Sequence, residues 1–410
     1  MIYHKRHIHP KIRKQLDEKE YTIIVGARQV GKTVLIRELY RELKEEGRRV
    51  FYLTFENIDV LREVNEHPEN IFKFTDRPVN PLGENREAKD RIYIFIDEVQ
   101  YAADPSGFLK YLFDTYLDNL KIIATGSSAF YLDKKFKDSL AGRKHIFKLN
   151  RLNFLEFLEF KDRKDLSDEV NTGRERKEYI SIKSREIIEL FDEFLVYGGY
   201  PSVVLETDME FKKHRLLEIR DSYVKRDVLE ADVRNESGFF NLMTVLAGQV
   251  GNLLNSNELS NTLRLHADTL NNYIHILEKC FHIDLIKPFH KNIRKEITKM
   301  PKLYYQDTGL RNAMLNRFHP VGERADKGAL LENYVFLRLK EMAYPDQVWF
   351  WRTSEGHEID FVITSDFNTG EAIEVKFGAF DQTKYPYSKF SEHYPDIRLK
   401  GINYQQAAFL

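Results

Sequence analysis

The sequence contains very little cysteine and no long apolar segment. Cys280 is the only cysteine among 410 residues, which excludes an intramolecular disulfide and a cysteine-rich zinc site and fits a reducing compartment. No stretch of about 18 uncharged apolar residues occurs, and residues 1–16 lack the apolar core of a signal peptide. We therefore expect a cytoplasmic protein with no membrane partner.

An excess of charge of either sign is also missing. The chain has 63 Lys and Arg residues against 64 Asp and Glu residues, so any contact with nucleic acid must come from a local basic patch. Hydrophobic residues make up 42% of the chain and aromatic residues 13%, which argues against extensive disorder. A chain of this length is expected to form about two to four domains.

A phosphate-binding loop is the clearest motif that the sequence does contain. Thr22–Val25 is an apolar, strand-like run, and an amphipathic helix pattern follows Thr33. Between them, Gly26 is followed after four residues by Gly31-Lys32-Thr33, which matches GxxxxGK[ST] in the structural context that this pattern requires. Backbone N–H groups, Lys32 and Thr33 are predicted to bind ATP phosphates and Mg²⁺. The predicted cofactor-binding residues are Gly26, Ala27, Arg28, Gln29, Val30, Gly31, Lys32 and Thr33.

The acidic partner of this loop follows an apolar strand. Ile92–Ile96 is uniformly apolar, as in a central parallel strand, and Asp97-Glu98 comes directly after it. We expect Asp97 to hold the Mg²⁺ ion together with Thr33, and Glu98 to orient or deprotonate the attacking water. Two acids that simply end a strand at the surface are the competing interpretation.

Further candidates follow the next apolar strand, Lys121–Ala124. Thr125, Ser127 or Ser128 could sense the γ-phosphate, and Ser127 is the catalytic candidate among them, although each hydroxyl could equally satisfy a turn. Arg143, in a basic stretch, could stabilise transition-state charge in its own or a neighbouring subunit. An ordinary salt bridge is the alternative for Arg143.

The middle of the chain has mostly helical patterns. Residues 196–202, VYGGYPS, interrupt them with a forced turn. A helical lid over an adenine would need such a turn, which makes Pro201 a candidate nucleotide contact. A plain turn between helices is the alternative.

Residues 236–312 have the pattern of a winged helix. Leu270, Ile274 and Leu277 give the buried stripe of a third helix, and Ser256 can cap a short second one. Two strand-like segments then flank a basic run suited to DNA phosphate contacts. The same module could instead serve only to pack against the ATPase. The basic residues are Lys287, Lys291, Arg294, Lys295, Lys299 and Lys302.

The last segment carries a D…ExK pattern. Glu374 and Lys376 share one face of a strand, and Asp360 lies on a preceding strand. Asp360 and Glu374 could bind Mg²⁺ while Lys376 positions or activates a water that attacks a phosphodiester. A half-buried strand with a solvated face can produce the same pattern without any catalytic role.

Over nearly its full length, the chain resembles the prokaryotic AAA-type P-loop ATPases that carry a C-terminal domain of the PD-(D/E)XK nuclease superfamily. The resemblance implies an ASCE-type sheet with a helical lid, a winged helix and a restriction-endonuclease-like α/β domain. It also implies that Glu332, with Asp360, Glu374 and Lys376, occupies a nuclease motif position. Ile359 stands where the nuclease pattern has proline, and the lid has no clear sensor-2 arginine. The matching motifs are GARQVGKT (26–33), IDEVQ (96–100), TGSS (125–128), LAGR (140–143), GGYP (198–201), GHEIDFVI (356–363) and IEVK (373–376).

These observations predict an α/β P-loop NTPase with four domains: an ATPase domain at 1–150, a helical lid at 151–235, a winged helix at 236–320 and a nuclease-like domain at 321–410. The predicted function is ATP hydrolysis directed to DNA, with the nucleotide state controlling the metal-dependent nuclease-like domain. A regulatory ATP switch whose last domain binds DNA or protein without cleavage is the alternative. A third possibility is a homo-oligomeric loader in which Arg143 completes a neighbouring site.

Overall fold

The chain forms two compact units in a computed structural model. The first comprises Met1–Arg151 with Lys279–Phe281, and the second Leu152–Glu278 with His282–Leu410. The structure describes residues 3–78, 91–126, 140–175, 181–230, 233–290, 299–342, 347–364, 369–380 and 387–410. No helix in these ranges combines the length and apolar character needed to cross a bilayer.

The described strands of the first unit form a five-stranded parallel sheet in the order β2-β3-β4-β1-β5. β1, β3 and β4 are buried throughout because their sequences are almost wholly apolar, as is typical of the centre of a parallel sheet. The predicted parallel α/β fold is therefore confirmed for this unit. The strands are β1 (Tyr21–Val25), β2 (Arg49–Thr54), β3 (Ile92–Asp97), β4 (Leu120–Gly126) and β5 (Lys144–Lys148).

The helices of the first unit begin at recognisable sequence signals. Asp104 accepts a hydrogen bond from the Gly107 N–H and so caps the helix that begins at Pro105. The helices are α1 (His9–Gln15), α2 (Lys32–Glu45), α3 (Ile58–Glu66) and α4 (Pro105–Tyr116), with 3₁₀ turns at Pro68–Lys73, Val99–Tyr101 and Leu117–Asn119. β5 was not predicted, since lysines flank it and Ile146 is 53% exposed at this edge of the sheet.

The second unit begins with a helical region. Asn153 and Glu156 form a capping box at its first helix. The helices are α5 (Phe154–Phe160), α6 (Lys164–Glu175), α7 (Ser184–Tyr197), α8 (Pro201–Val204) and α9 (Met209–Glu230).

Four helices and an antiparallel strand pair follow among the described residues of the second unit. The cap predicted at Ser256 is wrong by one residue, because the side chain of Asn255 accepts the Glu258 N–H. The elements are α10 (Glu236–Gly248), α11 (Ser256–Leu263), α12 (Ala267–Lys279), β6 (Ile283–Ile286), β7 (Lys302–Tyr305) and α13 (Thr308–Leu315), with a 3₁₀ turn at Val321–Glu323.

The described strands of the last part of the second unit form a four-stranded mixed sheet, in the order β11-β10-β9-β8. β11 runs parallel to β10, whereas β9 is antiparallel to both β8 and β10. The predicted C-terminal α/β region is thus confirmed as a mixed sheet with helices. Its elements are α14 (Lys327–Met342), β8 (Val348–Arg352), β9 (Glu358–Thr364), β10 (Gly370–Lys376), α15 (Ser388–His393), β11 (Ile397–Asn403) and α16 (Tyr404–Ala407).

Candidate functional site

The phosphate-binding pattern forms the connection between β1 and α2. Gly31 has a φ of +96°, a conformation that glycine adopts without a Cβ penalty, and α2 begins at the next residue. The ammonium group of Lys32 donates to the carbonyl oxygens of Gly26 at 3.0 Å and Ala27 at 2.8 Å. Because Lys32 is the first residue of α2, the N–H groups and the partial positive charge of the helix start lie next to it.

Two contacts fix the path of this loop. A Cβ on Gly26 would lie 2.2 Å from the carbonyl oxygen of Leu149, so only glycine fits where the loop leaves β1. Arg6 donates to the carbonyl oxygens of Val30 at 2.8 Å and Asn150 at 2.8 Å. Arg6, which was not predicted as a site residue, ties the loop to the segment that follows β5.

Asp97, at the end of β3, is held by hydroxyl groups. Its Oδ2 atom accepts from Thr33 Oγ1 at 2.8 Å and from Tyr52 OH at 3.1 Å, and its Oδ1 atom accepts from Thr125 Oγ1 at 2.5 Å. Burial, together with the charge of Asp97, raises the pKa of Tyr52 to about 12, so this phenol remains a donor. The structure therefore brings together Thr33 and Asp97. Tyr52, which was not predicted, and Thr125, which was predicted as a candidate γ-phosphate sensor, both hold Asp97 in position.

Glu98 adopts a left-handed backbone conformation, with φ of 57° and ψ of 53°. Its N–H donates to Thr125 Oγ1 at 3.0 Å, and its Oε2 atom accepts from the Gln100 amide. Thr125 thus contacts both acids of the motif, donating to one and accepting from the other. A hydroxyl residue at the end of a central strand was the available sequence signal for this role.

The remaining candidate residues of the first unit are Arg143, Arg28, Gln29, Ser127 and Ser128, and their surroundings differ. Arg143 Nε donates to Asp114 Oδ1 at 2.6 Å, and the arginine side chain is 30% exposed, so the salt bridge foreseen as the alternative is present. Arg28 is half-buried and Gln29 is exposed with a φ of 56°. Ser127 and Ser128 lie outside the described residues.

The GGYP turn lies within the second unit. Pro201 occupies the first position of α8, and the Gly199 N–H donates to Asp307 Oδ2 at 2.8 Å. A Cβ on Gly198, whose φ is +72°, would lie 2.3 Å from Asp307 Oδ1. The turn is therefore packed against the residue that also caps α13 through the Leu310 N–H.

A second cluster of acids lies where α14, β7 and β9 meet. Lys302 Nζ lies 3.4 Å from Glu332 Oε1 and 3.7 Å from Asp360 Oδ1, and it also pairs with Glu358. Tyr304 OH donates to Glu332 Oε1 at 2.7 Å. Burial raises the pKa of Glu332 to about 7. The prediction that Lys302 belongs to a basic run suited to DNA phosphate contacts is wrong for this residue, because its side chain is 1% exposed and pairs with carboxylates.

Glu374 and Lys376 lie beside this cluster on β10. Lys376 Nζ is 2.7 Å from Glu374 Oε1, and Asp360 Oδ2 accepts from the Val375 N–H at 2.9 Å. Burial, and then the charge of Asp360, raises the pKa of Glu374 to about 7. The other carboxylate oxygen of Glu374, Oε2, is buried and has no hydrogen-bond partner among the described residues.

Residues 18–158 match the family described as an AAA domain. The phosphate-binding loop, Asp97 and Glu98 all fall within this AAA region. Residues 188–320 match a domain of unknown function (DUF8612), and residues 327–403 match another (DUF4143). The carboxylates of the second cluster fall within the DUF4143 region, whereas Lys302 falls within the DUF8612 region.

Similar proteins that align with most of this chain occur in Methanocaldococcus jannaschii and Haemophilus influenzae. An uncharacterized protein of Methanocaldococcus jannaschii is 27% identical, over 88% of this chain and 76% of its own length. One from Haemophilus influenzae is 27% identical, over 83% of this chain and 78% of its own length. Among solved structures, the Aeropyrum pernix ORC2 protein aligns with a TM-score of 0.44 at 12% identity, covering 84% of this chain and 97% of that chain.

The oxygen donors of the AAA region fit a magnesium nucleotide. Mg²⁺ prefers oxygen ligands and is usually bound by one or two protein groups together with phosphates and water. The Thr33 hydroxyl and the Asp97 carboxylate are in mutual contact directly after the loop that carries Lys32. These residues are suited to hold the ion against phosphates bound by the loop.

The second cluster, unlike the oxygen donors of the AAA region, does not fit a divalent cation. Its carboxylates already surround the ammonium group of Lys302, and Glu374 pairs with Lys376. No group of three or more His, Cys, Asp or Glu side chains within the described ranges is arranged to hold a metal ion. The nuclease-like residues are thus brought near one another, but this arrangement does not fit a bound metal.

Proposed function

We propose that the AAA region binds and hydrolyses ATP in the presence of Mg²⁺. The observation that carries this proposal is the position of Asp97, which contacts Thr33 of the phosphate-binding loop and is immediately followed by Glu98. An ordinary pair of surface acids would not be held by three buried or half-buried hydroxyl groups. The family match of residues 18–158 adds support.

Each residue has a definite task in this proposal. Lys32 exchanges its contacts with the loop carbonyls for β- and γ-phosphate oxygens, because those carry full negative charge. Glu98 orients or deprotonates the attacking water. Mg²⁺ bound by Thr33 and Asp97 would supply neutralisation of the charge that develops on the phosphates.

The test is ATP turnover by purified variants. We expect Lys32→Ala to abolish ATP binding or turnover, and Glu98→Gln to bind ATP but to hydrolyse it about 10²- to 10⁴-fold more slowly. Lys44→Ala is the matched control, because this lysine is exposed near the other end of α2. Unchanged turnover in Lys32→Ala would contradict the proposal.

We further propose that the ATPase is directed to DNA by helices α10–α12 and the β6–β7 pair. Asn272 and His275 are exposed on α12. A cavity of about 540 Å³ beside them is lined by Arg234, Arg264 and Asn272, among others. Cationic and amide side chains near the start of a helix suit phosphate and base contacts. Most of the predicted basic wing, residues 291–298, lies outside the described residues.

Binding of double-stranded DNA at several salt concentrations tests this assignment. If Arg264 contacts a phosphate, Arg264→Ala should weaken binding and reduce the magnitude of the salt slope by about 1. Arg185→Ala is the control, because Arg185 is 92% exposed and pairs with Glu189 on α7. Equal binding by wild type and Arg264→Ala, at every salt concentration, would contradict the assignment.

For the last domain, the geometry favours the switch that binds without cleaving. The proximity of Asp360, Glu374 and Lys376 supports the nuclease candidate, whereas Lys302 between the carboxylates opposes it. We expect no nicking of linear, nicked or branched DNA with Mg²⁺ or Mn²⁺ and ATP. Cleavage by wild type that Asp360→Ala loses would instead favour the nuclease.

A further inference from the structure

We propose that the ammonium group of Lys302, on β7, takes the place of a divalent cation in the carboxylate cluster of Glu332, Glu358 and Asp360. The lysine thereby keeps a metal ion out of this cluster. The lysine is contributed by the strand pair that follows α12, and the carboxylates by α14 and β9. The cluster lies within the second unit, and its affinity for a cation does not depend on ATP hydrolysis.

The contacts of Lys302 are those of a bound cation. Its Nζ atom lies between Glu332, Glu358 and Asp360, which belong to two different elements. Lysine is almost never fully buried unless it is paired, and this side chain is 1% exposed. Three carboxyl groups converge on one ammonium group, so the cluster has more anionic ligands to offer than a single positive charge can neutralise.

A cation and the Lys302 side chain exclude one another. Mg²⁺ and Ca²⁺ bind oxygen ligands at about 2.0–2.6 Å, so an ion shared by Glu332 and Asp360 would overlap or closely approach the Nζ atom 3.4 and 3.7 Å from them. Their positive charges also repel each other in a poorly solvated site. A metal therefore requires removal or displacement of this side chain.

The strand holds the lysine firmly in place. Lys302 pairs with Ile286 of β6 and forms a bridge with Leu253. On either side of it, the Leu254 N–H donates to Pro301 O at 2.8 Å and the Gly251 N–H donates to Leu303 O at 2.9 Å. Its ammonium also lies 5.6 Å from the centre of the Phe350 ring. Movement of the Lys302 ammonium group out of the cluster thus requires a change in β7 or in the rotamer of Lys302.

A second observation indicates that the cluster retains the capacity for a cation. Glu374 is 5% exposed, and its Oε2 atom is buried without a hydrogen-bond partner among the described residues. Glu374 lies on β10, which pairs with the β9 strand that carries Asp360, and its unsatisfied carboxylate oxygen is one that a metal could satisfy. An ordinary buried ion-pair network would gain stability from Lys302 but would acquire no metal affinity on its removal.

The experiment measures Mn²⁺ binding to the full chain without nucleotide, by calorimetry and by the electron paramagnetic resonance signal of free Mn²⁺. We expect Lys302→Met to bind Mn²⁺ about 10- to 100-fold more tightly than wild type, the range by which groups beside metal ligands change affinity. The gain should disappear in Lys302→Met/Asp360→Asn. Lys302→Arg, which keeps the charge, should behave as wild type.

Two outcomes would overturn the proposal. One is Mn²⁺ binding by wild type that depends on Asp360 and is as tight as in Lys302→Met. The other is the absence of Asp360-dependent binding in Lys302→Met and also in Lys302→Met/Glu358→Gln. The double variant removes one carboxylate together with the ammonium, so it folds with less repulsion if the single variant fails to fold.

Discussion

Thr125→Val removes the hydroxyl that links Asp97 to Glu98 while it keeps nearly the same side-chain volume. The hydroxyl donates to Asp97 Oδ1 at 2.5 Å and accepts from the Glu98 N–H at 3.0 Å. A hydrogen bond to a charged group contributes about 1.5–3 kcal/mol, and an unsatisfied amide costs about 1–3 kcal/mol. Because Glu98 is only half-buried and water can reach it, we expect a combined loss of stability of about 2–4 kcal/mol.

The same substitution should slow ATP turnover. Asp97 loses one of its three hydroxyl donors and Glu98 loses its backbone anchor. We expect kcat to fall about 10- to 100-fold, equivalent to about 1.4–2.8 kcal/mol of transition-state stabilisation, with little change in KM. The assay is steady-state phosphate release, paired with thermal unfolding. Thr125→Ser is the control, and a wild-type kcat in Thr125→Val would refute the positioning role.

Two further predictions concern stability. Burial, and then the charge of Arg91, lowers the pKa of Lys121 to about 7. The folded state therefore binds fewer protons than the unfolded state from about pH 7 to 10.5. As pH rises through this range, the free energy of unfolding of wild type should increase by up to about 1.4 kcal/mol per pH unit relative to that of Lys121→Met. Equal pH slopes in thermal unfolding would contradict this. Gly199→Ala should cost about 1–3 kcal/mol, since its Cβ would lie 2.1 Å from the carbonyl oxygen of Leu152. Gly248→Ala, at the end of α10 with open space around the added Cβ, should be at least as stable as wild type.

The proximity of the phosphate-binding pattern to Asp97 could be predicted from sequence, because the information that determines it is local. Gly31, Lys32 and Thr33 are adjacent in the chain, and Asp97 follows a strand whose apolar run is unmistakable. Parallel strands bring such ends to one edge of the sheet, which is where Asp97 meets Thr33. Local pattern and sheet topology together were sufficient here.

The burial and the ion pairs of Lys302 could not be predicted from the sequence in this way. In sequence it belongs to a run of lysines, and such a run is ordinarily solvated. Its partners Glu332 and Asp360 are 30 and 58 residues farther along the chain, so only the tertiary fold reveals the pairing. β11 was missed for a related reason, since Arg398 and Lys400 interrupt its apolar residues.

The two acidic sites of this chain differ in how their negative charge is balanced. The hydrogen bonds that Asp97 accepts from side chains of the described residues come from hydroxyl groups, which are neutral and leave its full charge available to a cation. Glu332 and Asp360 instead share a buried ammonium group. Attraction for Mg²⁺ depends on the net charge and on free oxygen ligands. The first site is therefore prepared for a metal ion, whereas the second acquires that capacity only when Lys302 leaves.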